Sequence, residues 1–135
     1  MDITVAKTAG FCFGVKRAVE QVEEQLRLKK KVYTYGPIIH NEEVVREFVE
    51  KGVCILYPED EWNSVEKGTI VIRSHGVTRK EQEKMQAQGF EVVDATCPFV
   101  KKIHKIVEEQ SSLGRRIVII GDKNHPEVIG IKGWA

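Results

Sequence analysis

An α/β fold is the architecture this sequence predicts: a mostly parallel sheet with flanking helices, comprising one full unit plus the start of a second pseudo-symmetric unit. Three observations predict it. Short β-branched runs alternate with stretches of helical period along the whole chain, turn formers stand at the junctions, and the early part of the chain matches its last part at a fixed offset. Alternation of this kind implies right-handed crossovers between parallel strands.

The strand candidates are Ile3 to Lys7, Val32 to Tyr35, Thr69 to Arg73, Glu91 to Ala95 and Ile117 to Ile120. Cys54 lies in a further apolar run, Val-Cys-Ile-Leu-Tyr, and reads as a structural strand residue. The first helix, about Gly14 to Lys30, places Val15, Ala18, Val19, Val22 and Leu26 on one face. A second follows His40 and buries Val44, Val45, Phe48 and Val49. Thr78-Arg-Lys-Glu81 is the pattern of a capping box that opens a third, with Gly89 as its stop. Pro98 suits the first position of a fourth, whose apolar stripe is Phe99, Val100, Ile103, Ile106 and Val107.

Sliding the chain against itself by 85 positions aligns Cys12–Glu50 with Cys97–Ala135 without a gap, with 11 identities in 39 positions. Among them Cys12 meets Cys97, Lys16 meets Lys101, His40 meets His125 and Glu42 meets Glu127. The units are therefore expected at residues 1–96 and 97–135, with residues up to about 13 forming an N-terminal segment that faces the site. Each repeated cysteine precedes a helix, where free N–H groups and the helix dipole favour a thiolate. Each is followed by basic residues, Lys16-Arg17 and Lys101-Lys102, which oppose the dipole and make sense beside a concentrated negative charge.

Composition narrows the partners. With 135 residues and 41% apolar content, a core for one domain or slightly more is available. The 21 basic and 20 acidic residues cancel, so no net field selects nucleic acid or an anionic membrane. The start shows no basic segment followed by an apolar run, and no stretch approaches the roughly 20 apolar residues of a membrane span. A soluble, cytoplasmic protein is expected. Three scattered cysteines make no disulfide framework and remain available to metal.

His40, His75 and His125 all lie among turn formers after expected strands, the edge of an open α/β sheet where ligands bind. Three histidines on one edge suit an anion or a metal. His104 lies mid-helix and reads as surface or packing. Glu127, two residues after His125, suits a general acid if burial raises its pKa, or a helix-start cap.

Five ordered motifs then resemble the 4-hydroxy-3-methylbut-2-enyl diphosphate reductase (IspH/LytB) family: Ala9-Gly-Phe-Cys-Phe-Gly-Val-Lys-Arg-Ala18, Tyr35-Gly-Pro-Ile-Ile-His-Asn41, Ile72-Arg-Ser-His-Gly-Val77, Asp94-Ala-Thr-Cys-Pro98 and Gly121-Asp-Lys-Asn-His-Pro-Glu-Val128. The resemblance covers the whole chain. It implies that Cys12 and Cys97 are two of three thiolates holding a 4Fe–4S cluster, that His40, His75 and His125 bind the substrate diphosphate, and that Glu127 delivers a proton. It implies reductive dehydroxylation of an allylic diphosphate to isopentenyl and dimethylallyl diphosphate, the last step of the non-mevalonate pathway, with electrons from reduced ferredoxin or flavodoxin. Family members are about twice as long, so a fragment lacking the third cysteine is expected. Two other readings stand beside it: a zinc-dependent hydrolase using Cys12, Cys97 and one or two histidines, and a non-catalytic anion-binding or assembly module.

Overall fold

The architecture was obtained as a computed structural model, which describes residues 2–28 and 30–135. Helix α1 (Phe13–Arg27) is followed by β1 (Val32–Tyr35), α2 (Glu42–Glu50) and β2 (Cys54–Leu56). A 3₁₀ turn at Trp62–Ser64 leads to β3 (Thr69–Ile72), α3 (Arg79–Ala87), β4 (Glu91–Asp94), α4 (Pro98–Ser112) and α5 (Pro126–Lys132). The first helix ends at Arg27, short of the expected Lys30: Leu28 is its C-cap and Lys30 lies outside the helix, while residue 29 lies outside the described residues.

All four strands are parallel and lie in the order β2-β1-β3-β4. Side chains alternate along each strand, so each sends its residues to two separate cores. On one face Val32 and Val71 meet Ala18 and Val22 of α1 and Phe48 of α2. On the other, Tyr33, Tyr35, Ile70 and Ile72 meet Met85 of α3 and Trp62, with Cys54 packed at the margin. Both faces are thus covered, which is why the strands are almost wholly apolar. Cys54 is a strand residue, as its context predicts.

The chain leaves β1 through α2 toward one edge of the sheet and leaves β3 through α3 toward the other. The order of strands therefore reverses between β1 and β3, and their following loops part to leave a crevice, the switch-point position of open α/β sheets. Local signals set the helix starts around it. The Asn41 side chain accepts from Val44 N at 3.1 Å, and Thr78 and Glu81 form the expected capping box.

Two strand expectations are corrected. Residues 3–7 and 117–120 are not strands, and Ile3, Val5, Val118 and Ile120 are 74–96% exposed. A β-branched run becomes a strand only where a neighbour completes its hydrogen-bond ladder. Among the described residues no free strand lies beside either segment, so their backbones face water instead. The repeat nevertheless holds in the helices: α1 spans 13–27 and α4 spans 98–112, offset by the same 85 residues, with Cys12 and Cys97 as the respective N-caps.

Candidate functional site

The helices that follow the two cysteines start side by side. Neither side chain makes a capping hydrogen bond, and both thiols are free. Cys97 Sγ rests against the first turn of α1, where an ideal Cβ on Gly14 would lie only 2.7 Å from the sulfur. Arg17, one turn into α1, donates to the carbonyls of Asp94 and Thr96, each at 3.2 Å. The starts of α1 and α4 are thus fastened side by side, with Cys12 exposed and Cys97 half-buried between them.

That contact also revises the reading of the first-turn cations. Arg17 satisfies carbonyls at the end of β4, and Lys101 pairs with the Asp94 carboxylate, whose pKa is held low by the hydrogen bonds from Lys101 and Thr96 even though burial alone would raise it. Lys16 sits in an exposed pair with Glu20 at 3.9 Å. Arg17 and Lys101 therefore have partners outside their own helices.

The three histidines converge at the switch point. His40 comes from the loop after β1, His75 from the loop after β3, and His125 is the N-cap of α5. Ring centroids lie 4.6 Å apart for His40 and His75, 5.7 Å for His75 and His125, and 6.2 Å for His40 and His125. One nitrogen from each lies within 4.8 Å of the others. His125 Nδ1 accepts from Glu127 N at 3.3 Å, so a neutral His125 carries its proton on Nε2. Glu127 itself is half-buried in the first turn of α5.

Burial depresses the His75 pKa to about 4, and His40, Arg73 and His125 add repulsion. The ring is neutral at pH 7. His75 Nδ1 and Arg73 Nε are buried without a hydrogen-bond partner among the described residues. The Arg73 guanidinium lies over the Tyr35 ring at 6.0 Å and close against Gly36, near enough for its charge to be felt at His75. The unpartnered Arg73 N–H, and His75 in its Nδ1–H tautomer, suit a multiply charged anion, which would accept from both. Arg73 lies within the Ile72-Arg-Ser-His-Gly-Val77 motif, where the residue pattern alone assigns it no role. An arginine closing a buried strand two residues before a histidine is the signal that could have found it.

Thiols and imidazoles share an edge but not a coordination set. Cys97 N donates to Ser74 O at 2.9 Å, which ties the start of α4 to the loop that carries His75. Among the described residues, however, the metal-capable side chains that gather within one coordination radius are the three histidines, and neither cysteine joins them. The mixed Cys/His zinc set finds no support in this arrangement. His104, expected as surface or packing, is packing: it is 5% exposed and lies flat on Trp134.

The fold and site define a class, that of α/β proteins which collect imidazoles and thiols at the carboxyl edge of a parallel sheet. The chain belongs to the LytB protein family, whose model matches residues 3–135. The 4-hydroxy-3-methylbut-2-enyl diphosphate reductase of Caldanaerobacter subterraneus subsp. tengcongensis is 50% identical over 136 residues, covering 99% of this chain and 47% of the relative. The enzyme of that name from Geobacter metallireducens is 48% identical over 135 residues, covering 100% of this chain and 47% of the relative. The chain thus spans about half the length of the curated relatives it matches.

Solved structures agree. One of (E)-4-hydroxy-3-methyl-but-2-enyl diphosphate reductase, described as the terminal enzyme of the non-mevalonate pathway, superposes with a TM-score of 0.82 at 46% identity, covering 98% of this chain and 46% of that one. The E-1-hydroxy-2-methyl-but-2-enyl-4-diphosphate reductase of Plasmodium falciparum superposes with a TM-score of 0.85 at 37% identity, covering 96% and 40%. Among the described residues no helix is long and apolar enough to cross a membrane.

Proposed function

We propose that this chain carries the N-terminal part of a reductase that converts (E)-4-hydroxy-3-methylbut-2-enyl diphosphate to isopentenyl and dimethylallyl diphosphate. The observation that carries this reading is the meeting of His40, His75 and His125 from three separate loops at the switch point of the sheet. Their family relatives bear the reductase name.

In this reading the diphosphate tail lies among the three histidines. His125 donates from Nε2, neutral His75 gains a hydrogen bond for its buried nitrogen, and Arg73 contributes fixed positive charge. Binding the tail there orients the allylic end of the substrate, so that binding energy from a non-reacting group is used for positioning. The overall change adds two electrons and two protons, replaces the C–O bond to the hydroxyl by C–H, and releases water. Glu127, in the same turn as His125, is the proton carrier in this scheme.

Cys12 and Cys97 fit two positions of a thiolate-bound 4Fe–4S cluster. Their helix starts touch, their thiols are free, and Gly14 leaves the space that the Cys97 sulfur occupies. The cluster would supply single electrons and a Lewis-acidic iron for the departing hydroxyl. Cys54 packs against the core on the α3 side, so a third thiolate comes from outside residues 1–135. The two-unit division at residues 96 and 97, the cytoplasmic location and delivery of electrons by reduced ferredoxin or flavodoxin belong to the same proposal.

Anaerobic reconstitution with iron and sulfide tests it. A brown chain with broad charge-transfer absorption is expected, diminished by Cys12→Ser and by Cys97→Ser but not by Cys54→Ser. Stoichiometric, colourless zinc bound through the same cysteines, or dependence on Cys54 instead, would sink the assignment.

A further inference from the structure

His125 reaches the other two histidines only if α5 is held against the turn that carries His75, and the contacts that hold it are of an unusual kind. Gly133 sets the distance between α5 and the turn, and Gly76 sets that between the turn and α4. An ideal Cβ on Gly133 would lie 2.3 Å from Thr78 Cβ, one on Gly76 would lie 2.6 Å from His104 Cε1, and one on Gly130 would lie 3.5 Å from the His75 carbonyl oxygen. Gly76 also has φ of 74°, a conformation that other residues rarely adopt. A Cβ on Gly130 would make ordinary contact, whereas no larger side chain at Gly133 would let α5 approach Thr78 so closely.

Onto this contact Trp134 places the only polar link between the two segments found among the described residues. Its Nε1–H donates to the carbonyl of Val77 at 2.9 Å. One face of the indole lies on His104, with centroids 5.4 Å apart and planes within 17°, and the Arg79 guanidinium stands over the ring at 5.2 Å. His104 in turn packs on Gly76, directly after His75. Contacts therefore run from Trp134 to Gly76 and Val77, the two residues that follow His75.

The internal repeat shows that this arrangement is particular to the second unit. At an offset of 85, Gly130, Gly133 and Trp134 correspond to Val45, Phe48 and Val49 in α2, where Phe48 is buried in the core beneath the sheet. The positions that hold α5 in place are among those where the two copies differ most. A helix that only needed to pack on its own sheet would keep the bulky apolar set.

We propose that Trp134 is a positioning residue that fixes His125 beside His40 and His75, so that the three imidazoles act as one anion site. This rests on the anion reading of the histidines given above. The indole N–H to Val77 sets the register of α5 on the turn, the stack on His104 sets its tilt, and Gly133 sets its depth.

The test uses the 135-residue chain and Trp134→Phe, which keeps an aromatic ring while deleting the donor. In the ligand-free proteins, NMR cross-relaxation between the His75 and His125 rings is expected in the wild type and lost in the variant, while the His40–His75 contact stays. Inorganic pyrophosphate titrated into both is expected to bind about tenfold more weakly to the variant, the change that one hydrogen bond of about 1.4 kcal/mol represents. If both ring contacts persist and pyrophosphate affinity is unchanged, the assignment is wrong. It is equally wrong if the His40–His75 contact disappears too, because Trp134 then serves the fold as a whole. A wild-type chain that shows the ring contacts but ignores pyrophosphate defeats the anion reading and leaves the positioning role intact.

Discussion

The sulfur of Cys97 occupies the space that a side chain on Gly14 would fill, 2.7 Å from the ideal Cβ, so the two helix starts meet sulfur against backbone. The close atoms include Cys97 Cβ at 3.0 Å as well as Sγ, and rotation of the thiol alone does not relieve the overlap.

Gly14→Ala accordingly sets two effects against each other. Alanine is favoured over glycine inside a helix by up to about 1 kcal/mol, whereas forcing a methyl into a filled site costs about 1–3 kcal/mol. Net destabilisation by about 1–2 kcal/mol is expected in urea denaturation. In a Cys97→Ala background the overlap is gone, and the same substitution should become neutral or stabilising. Additive effects across this cycle would show that the two residues do not meet.

Arg17 fastens α1 to the end of β4 through two carbonyl oxygens. Arg17→Met removes both bonds and should lower stability by about 2 kcal/mol. Arg17→Lys can reach one acceptor and should recover about half of that loss. Equal midpoints for the methionine variant and the wild type in chemical denaturation would show that these carbonyls are satisfied without Arg17.

The His75 titration makes stability depend on pH in a defined direction. Its pKa is about 4 in the folded chain against 6.5 when exposed, chiefly through burial, with His40, Arg73 and His125 facing it. Between those values the unfolded chain takes up a proton that the folded chain refuses. The stabilising contribution is therefore complete above pH 6.5, declines as pH falls, and levels off below about pH 4. The ring remains partly open to water, so a loss on the order of 1 kcal/mol is expected rather than the full linkage value. His104, lowered mainly by burial, adds in the same direction. Denaturation midpoints of the wild type and His75→Ala at pH 7.5 and 4.5 check this, the variant losing less on acidification.

Val118 and Ile120 offer the opposite case, β-branched residues that the structure leaves 78% and 96% exposed. Val118→Asp and Ile120→Asp should each change the stability of the chain by less than about 0.5 kcal/mol. A loss several times larger, measured by thermal unfolding, would mean that residues 117–120 are paired after all.

Much of this protein was legible from residues alone because the relevant signals are local. The capping box at Thr78 and Glu81, the proline that opens α4 and the period of α1 depend on neighbours a few positions away, and each element formed where those signals stand. The 85-residue repeat similarly places Cys12 and Cys97 at equivalent helix starts, and both are N-caps. Residues 3–7 and 117–120 failed as strands for the complementary reason. β-Branched composition states a preference, but a strand is completed by its neighbour.

What the sequence determined by itself was therefore the α/β class, the starts of the helices after Cys12, Thr78 and Cys97, and the set of cysteines and histidines at the ends of elements. Only the tertiary structure decided which of them meet. Reversal of strand order between β1 and β3 opened the crevice, and packing of α5 on the His75 turn through Gly130, Gly133 and Trp134 brought in the third histidine from 50 residues further along. The physical reason is that helix caps and periods are set by short-range hydrogen bonds and side-chain spacing, whereas convergence of distant loops depends on how closely two backbones can approach, which no single residue specifies.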